Sequence, residues 1–590
     1  MKLRIIFVVF IFILTGCIKN VLDRKPLNIV ADEDVWKSEN LVTVYLATLY
    51  DNLPIGFDRD GYVYEANLTD ESSHPYTGVT VVGNYGDHPL IQNTTMYPWI
   101  RRANYFLERI QTSELDENTI KALSAECRFI RAYYYFDLVK KYGGMPIINE
   151  VQKFEDNLDE LLVPRNKEDE VYQFILNELN AAAADLPVER DANNGNRATK
   201  WTALALKSRA MLYAGSIAKY GTIQLDGLVG IPPENASQYY NEAFTAAKEL
   251  IESNRYALYT KLYSPESGTG DPAANYQSIF LDKGNQEVIF QKAYSNPDKR
   301  HSYDNYNMPE SFKPGCCGNA STPTLEMVES YEFKDNSSGK LDVANKEFDD
   351  PGGPFVNKDP RFDGTVMRSE SPFVGRPVQV YRGIYDQDGT LFQARGTAFP
   401  PDPSVMQVGR DGPFTLGDVG KTGFYIKKYL NTTAIVAEGT SDQNYIDFRY
   451  AEILLNYSEA AFEGDIDKTA ALDAINQIRN RAGMPLLTAA ELTLERLRNE
   501  RKVELAFEDK RFWDMRRWRI GTSIFRSTSI HGLWPYLVYK GGSVYKYIFT
   551  PVSGAPLDNG QVRTFNERDY YSNLSGYIST NKNITNNPGW

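Results

Sequence analysis

Apolar residues recur at intervals of three and four through two stretches of the chain and lose that spacing between them. From Trp99 to about Asn254 the spacing predicts helices near 99–112, 117–142, 167–185, 199–219 and 237–253. Gly143-Gly144, with Pro146 just beyond, stops the second of these. An earlier helix is predicted over Glu39–Asp51, where Leu41, Val44, Tyr45 and Leu49 fall at helical spacing. The pattern resumes over Ile446–Glu463, Lys468–Arg481 and Leu492 to about Trp518. Helices that follow one another in pairs across loops are the signature of stacked helical hairpins, although no strict sequence period accompanies them here.

Elsewhere the periodicity breaks. Residues 53–98 are broken by Gly, Pro, Asn, Asp and Tyr, which reads as long loops and short hairpins. Residues 255–445 carry SGTGDP, PGCCGN, DDPGGP and FPPDP, yet hold enough Phe, Tyr and Val for an ordered lobe. Within that lobe TGFYIKKYL at 422–430 alternates as a strand does. The chain after Trp518 reads as an irregular, surface-wrapping tail. The expectation is a mainly α fold in one domain, 17–590. Its helical scaffold spans about 31–254 and 446–520, its loop-rich ligand lobe about 255–445, and its tail 521–590.

Two helices raise specific questions. RFIRAYYYFDLVKKYGG at 128–144 sets three tyrosines and a phenylalanine side by side. A ligand platform needs such rings together and exposed, but consecutive residues on a helix diverge by about 100°. Leu123, Cys127, Ile130, Tyr134 and Leu138 share one face, Phe129, Ala132, Tyr133 and Phe136 a second, and Tyr135, Val139 and Tyr142 reach a third. A helix apolar nearly all round is one buried among others. The helix LTLERLRNERKVELAFEDKRFWDMRRW is dense in charge instead. Arg496 and Glu500, Arg501 and Glu504, and Glu508 and Arg511 are spaced as intrahelical pairs, each worth about 0.2–0.5 kcal/mol if exposed.

Charge and the N-terminus narrow the setting. Sixty-four basic side chains face 77 acidic ones, so clustered cations for a polyanion are lacking and nucleic acid is excluded as a partner. Lys2 and Arg4 precede an apolar run, Ile5–Leu14, too short to span a bilayer but suited to a signal peptide at 1–16. The run ends in Leu14-Thr15-Gly16-Cys17, which resembles the lipobox of bacterial lipoproteins. That resemblance implies lipidation at Cys17, and several acyl chains on one residue would anchor firmly. Three cysteines remain, an odd number that makes no disulfide framework. Cys127 reads as a small buried hydrophobe, and Cys316-Cys317 as either two thiols or a vicinal disulfide stiffening a loop tip.

Catalytic patterns are thin. The histidines are His74, His88, His301 and His531, without zinc-ligand spacing, so no metal and no cofactor is expected. DQDGT at 386–390 reads as a turn, lacking the later Glu of a calcium loop. Ser216-Ile-Ala-Lys219, Tyr303-Asp-Asn305 and Lys421-Thr-Gly423 follow the order of penicillin-recognising enzymes, but Ser216 falls at the end of its helix instead of the start.

Several segments together are more specific. RFIRAYYYFDLVKKYGGMPII, KDPRF at 358–362, TGFYIKKY, DFRYAEILLNYSEAAFE, AINQIRNRAGMP and RLRNERKVELAFEDKRFWDMRRW resemble, in order and spacing, the SusD/RagB family of Bacteroidetes-type lipoproteins. The resemblance implies four tetratricopeptide-like helical hairpins carrying an irregular lobe. It also implies a lipid-anchored place on the outer face of the outer membrane, beside a SusC-like TonB-dependent transporter. The cargo would be a glycan, or a peptide in the RagB branch, bound without catalysis. A helical-repeat scaffold for protein partners is the alternative of a different class.

The family's motifs are scaffold motifs and carry over no ligand residues, so the site is sought on physical grounds. Sugar receptors combine aromatic faces with planar polar groups. Two loop regions fit: SSHPYTGVTVVGNYGDHP at 72–89, with His74, Tyr76, Tyr85 and His88, and AYSNPDKRHSYDNYNMPESF at 293–312, with Tyr294, Arg300, His301, Tyr303 and Tyr306. The alternative for each tyrosine is packing within its loop or contact with the transporter.

Overall fold

The computed structural model describes residues 32–57, 63–76, 85–91, 96–153, 155, 157–191, 194–315, 317–414, 419–528, 530–554 and 556–590. The expected signal peptide, 1–16, and Cys17 lie outside these residues. The longer helices are α1 (Glu39–Asp51), α2 (Met96–Ile110), α3 (Glu117–Tyr142), α4 (Glu168–Asp185) and α5 (Lys200–Tyr220). They continue as α6 (Ala236–Glu252), α7 (Tyr450–Glu463), α8 (Lys468–Arg481), α9 (Leu494–Glu504) and α10 (Arg511–Arg517). The fold is mainly α, as the periodicity predicts.

α3 forms the centre. Asp116 caps it by accepting from the backbone amides of Asn118 and Thr119, and Gly143 ends it at φ 75°. Its three consecutive tyrosines are buried and each hydroxyl goes to a different element. Tyr133 donates to Asp447 Oδ2 at 2.8 Å and Tyr134 to Leu49 O at 2.6 Å, while Tyr135 donates to Ile148 O at 3.0 Å. The run is scaffold, not platform.

α3 packs on α2 and α4, α4 on α5, α5 on α6, α6 on α7, and α7 on α8. The α6–α7 contact closes the helical stack although the whole lobe intervenes in sequence. Two short strands at the ends of the lobe hold that closure: β1 (Val288–Lys292) pairs antiparallel with β4 (Tyr445–Arg449), numbering in chain order around β2 (Ile384–Tyr385) and β3 (Leu391–Phe392). The helix expected from Ile446 therefore starts at Tyr450, because the preceding residues are claimed by strand pairing.

A buried ionic network joins lobe to scaffold. Arg449 reaches Glu287, Glu504 and Glu508, each at 2.7 Å. Arg361 from KDPRF contacts Asp359, Glu500 and Glu504 at 2.7, 2.6 and 2.8 Å. Arg481 pairs with Glu287 and Glu504, Lys428 with Glu508, and Arg209 with Asp447 and Glu452. Burial works against ionisation of Glu504, but Arg481, Arg449 and Arg361 outweigh it and hold the carboxyl well below the usual range.

This network corrects three expectations. Glu500, Arg501, Glu508 and Arg511 do not form exposed intrahelical pairs; they are buried and bonded to other elements, Arg501 to Asp514 and Arg511 to Asp70. Nor is Leu492–Trp518 one helix. Phe507 and Asp509 adopt φ 58° and 57°, breaking it between α9 and α10 where Glu508 turns in towards Arg449 and Lys428. The strand expected at 422–430 is reduced to Tyr425–Ile426, paired with Val366–Met367, because Lys428 is drawn into the same network.

The tail is more regular than expected. β5 (His531–Gly541) and β6 (Val544–Ser553) form a long hairpin that joins β2 and β3 in a four-stranded sheet of order β3–β2–β5–β6. Gly541, Gly542 and Ser543 turn it with φ of 95°, 57° and 62°. Tyr381, Ile384, Phe399 and Leu537 form a small core beneath the sheet.

Candidate functional site

The two loop regions singled out by sequence meet at one segment, residues 318–323. Ser72 and Ser73 pair antiparallel with Pro323 and Thr322. His74 Nδ1 lies 2.8 Å from Ala320 O, and the Tyr76 hydroxyl donates to Gly318 O at 2.6 Å. From the other region, Tyr306 O accepts from Ala320 N at 2.8 Å. Residues 318–320, at the end of PGCCGN, are thus clamped from both sides. Lys421 Nζ adds a bond to Pro75 O at 2.8 Å. Cys316 lies outside the described residues, and with it the choice between thiols and a disulfide.

Most of the nine candidates are inside the protein. His74 and Tyr76 are 1% and 6% exposed, so they fix the loop and offer no open ring face. Tyr85 stacks on Phe525 and Phe565 with centroids 5.8 and 5.4 Å away, and His88 is buried in its own turn, Nδ1 accepting from Leu90 N. Tyr294, His301 and Tyr303 surround Phe57 at 6.1, 4.4 and 4.6 Å in an aromatic core. Burial pushes the His301 imidazole down to about 4, so it is neutral at pH 7. Arg300 is exposed, and Tyr306 is half-buried, its hydroxyl donating to Glu438 Oε1 at 3.0 Å. Of the nine, only Arg300 and Tyr306 are not buried.

Beside residues 318–320, linked to them through the Arg395–Glu310 pair, stand aromatic and charged side chains that the sequence did not single out. Phe414 is half-buried, with the guanidinium carbons of Arg382 and Arg395 at 5.5 and 5.7 Å from its centroid. Glu310 accepts from Asn319 Nδ2 at 3.0 Å and pairs with Lys313 at 2.9 Å. Arg376 lies 3.6 Å over the Phe312 ring and donates to Ser311 O at 2.7 Å. Beneath them Asp411, its carboxyl raised by burial, accepts from Ser311 N and Gln379 N at 2.8 and 3.0 Å. One buried carboxylate thereby ties the 311 and 379 loops and fixes the side chains they carry. The only sequence cue was arginine close to aromatic residues in an aperiodic stretch.

Two other depressions compare poorly. One of about 240 Å³ has Leu46, Leu53, Phe290, Asn196, Gln291 and Lys299 among its lining. A cleft of about 1100 Å³ lies between residues 326–340 and α9, but no aromatic ring is among its described lining, and Arg496, Arg498 and Lys502 are paired with Glu332, Glu463 and Asp70. The serine-enzyme order also fails to assemble. Ser216 Oγ donates to Leu212 O and accepts from Arg517, Lys219 pairs with Glu463, and Lys421 holds Pro75.

With the geometry in place, comparison with known proteins is informative. A family profile described as the SusD family matches residues 286–590, and one described as starch-binding associating with outer membrane matches 22–212. The SusD-like protein P2 of Formosa agariphila is 22% identical over 559 residues, 89% of this chain and 92% of its own. The crystal structure of a SusD-like protein from Bacteroides fragilis superposes with a TM-score of 0.70 at 27% identity, covering 96% of this chain and 100% of its own. A SusD-like carbohydrate binding protein of the same species gives 0.67 at 22% identity, covering 93% and 100%, a likeness of fold.

Proposed function

The chain belongs to the SusD family, and from that premise we propose that it captures a glycan at the cell surface and passes it to a SusC-like TonB-dependent transporter. The family is one of carbohydrate-binding proteins rather than enzymes. The observation that carries the reading is likeness along nearly the whole chain to SusD-like proteins, one of them named as carbohydrate binding. The name of the second matching profile supports an outer-membrane setting, and Cys17 supplies the lipid anchor.

The ligand lies on the surface beside residues 318–320. Phe414 offers a ring face to the apolar side of a pyranose, while Arg395, Lys313, Glu310 and Tyr306 reach its hydroxyls. The Asp411 bridge holds this surface in place before ligand arrives, which lowers the ordering cost of binding. The test is a glycan array probed beside a peptide library with the purified mature protein. Selective retention of one glycan class supports the reading; retention of peptides alone moves the protein to the RagB type.

A further inference from the structure

Far along the chain from the lobe, a depression of about 250 Å³ is lined by residues including Tyr220, Arg519, Glu567, Arg568, Tyr570 and Tyr571. Arg519 lies 4.8 Å from both the Tyr570 and Tyr571 rings and donates to the Tyr571 hydroxyl at 2.6 Å. Arg568 is stacked 4.4 Å over Trp590 and pairs with Asp569 Oδ1 at 4.0 Å. Behind this wall, a void of about 10 Å³ shares Arg519, Tyr570 and Tyr571 and is also lined by Arg516.

Arg516 is the anomaly. It is 3% exposed, and none of its three guanidinium nitrogens has a hydrogen-bond partner among the described residues. Arg361, Arg449, Arg501 and Arg517 are each paired with carboxylates, whereas neither Arg516 nor Arg519 makes an ion pair among the described residues. Burial and then the neighbouring Arg519 push the Arg516 guanidinium down to about 9. Glu168 also lines the void; its Oε2 accepts from the Tyr571 hydroxyl and Gly230 N at 2.7 and 2.6 Å, and its Oε1 makes no hydrogen bond among the described residues. Two adjacent guanidiniums without a contact ion pair are costly to bury; the carboxylates that offset them, Asp569 for Arg516 and Glu168 for Arg519, act without such a contact.

We propose that this depression is an oxyanion site, in which Arg519 and Arg568 take a carboxylate or sulfate group while Arg516 supplies positive potential from behind. The planar fork of guanidinium matches both groups. The tyrosines leave room for a sugar-sized body, so the oxyanion could come from a free ion or from an acidic sugar. The site is independent of the glycan surface on the lobe, and either reading can fail alone.

The test is titration of the full mature protein with sodium sulfate, methyl glucuronide and methyl glucoside at fixed ionic strength, read by calorimetry. Wild type is expected to bind the glucuronide, sulfate or both, and the neutral glucoside at least tenfold more weakly. Arg568→Gln, a half-exposed position, should weaken the anion at least tenfold, and Arg519→Gln more, with glycan binding on the lobe unchanged. Sulfate binding without glucuronide binding assigns the site to a free ion; glucuronide binding assigns it to an acidic sugar. Failure of both anions to bind wild type overturns the proposal, as does equal binding of the neutral glucoside. Unchanged anion affinity in Arg568→Gln and in any folded Arg519 variant also overturns it.

Discussion

Replacing Arg449 with Met tests whether the ionic network holds the lobe on the scaffold. Met keeps an unbranched apolar stem but removes the guanidinium. The change deletes five charge-assisted contacts: to Glu508 Oε2 and Oε1, Glu287 Oε1, Glu504 Oε1 and Glu504 O, at 2.8, 2.7, 2.7, 2.7 and 2.7 Å. Hydrogen bonds to charged groups contribute about 1.5–3 kcal/mol each, so the gross loss is large. It is reduced because Glu504 keeps Arg361 and Arg481, Glu508 keeps Lys428, and Glu287 keeps Arg481. The net expectation is about 3–5 kcal/mol, the usual cost of removing one partner from a buried pair. The exposed Lys346–Asp342 pair is the control, and Lys346→Ala should cost under about 1 kcal/mol. Urea unfolding followed by tryptophan fluorescence reads both, and limited proteolysis reads release of the lobe. Equal midpoints for the two variants, with the lobe equally protected, would refute the assignment.

Further outcomes are expected. Tyr133→Phe, which loses the bond to Asp447, should cost about 1–2 kcal/mol in unfolding experiments and leave ligand affinity unchanged. Burial and then the charge of Asp70 push Glu71 up to about 8, so the native state binds the extra proton between the ordinary carboxylate range and pH 8. Stability should therefore fall as pH rises through that window, and Glu71→Gln should flatten the melting-temperature profile there. His301, lowered to about 4, should stay neutral in histidine-selective NMR down to about that pH, and its contribution should weaken as pH falls from the ordinary histidine range towards 4. Cys17→Ala should move the protein from the membrane fraction to the soluble one on fractionation; unchanged partitioning would refute the lipobox reading.

The scaffold was legible because burial on a helix leaves a 3.6-residue period, and α1, α3 and α8 match their expected bounds residue for residue. The ends of β4 and α9 were not, because strand pairing with Val288–Lys292 and capture of Glu508 by Arg449 are long-range events. Charged residues on α9 looked solvent-facing for the same reason: pattern reports polarity, not whether a distant arginine will meet it. At the candidate site the two stretches singled out by sequence meet at 318–320, but most of the side chains named in them point inward. His74, Tyr76, Tyr294 and Tyr303 are aromatic and in loops, yet each is buried. Phe414 and Arg395 sit in stretches with no period at all, so only their juxtaposition in space distinguishes them.

The most direct measurement is calorimetric titration of the mature protein with the glycan that an array selects, repeated on Phe414→Ala. The expected result is saturable binding that weakens at least tenfold in the variant, at an unchanged melting temperature. Saturable binding of peptides with none of any glycan, or full glycan affinity in a folded Phe414→Ala protein, would contradict the account.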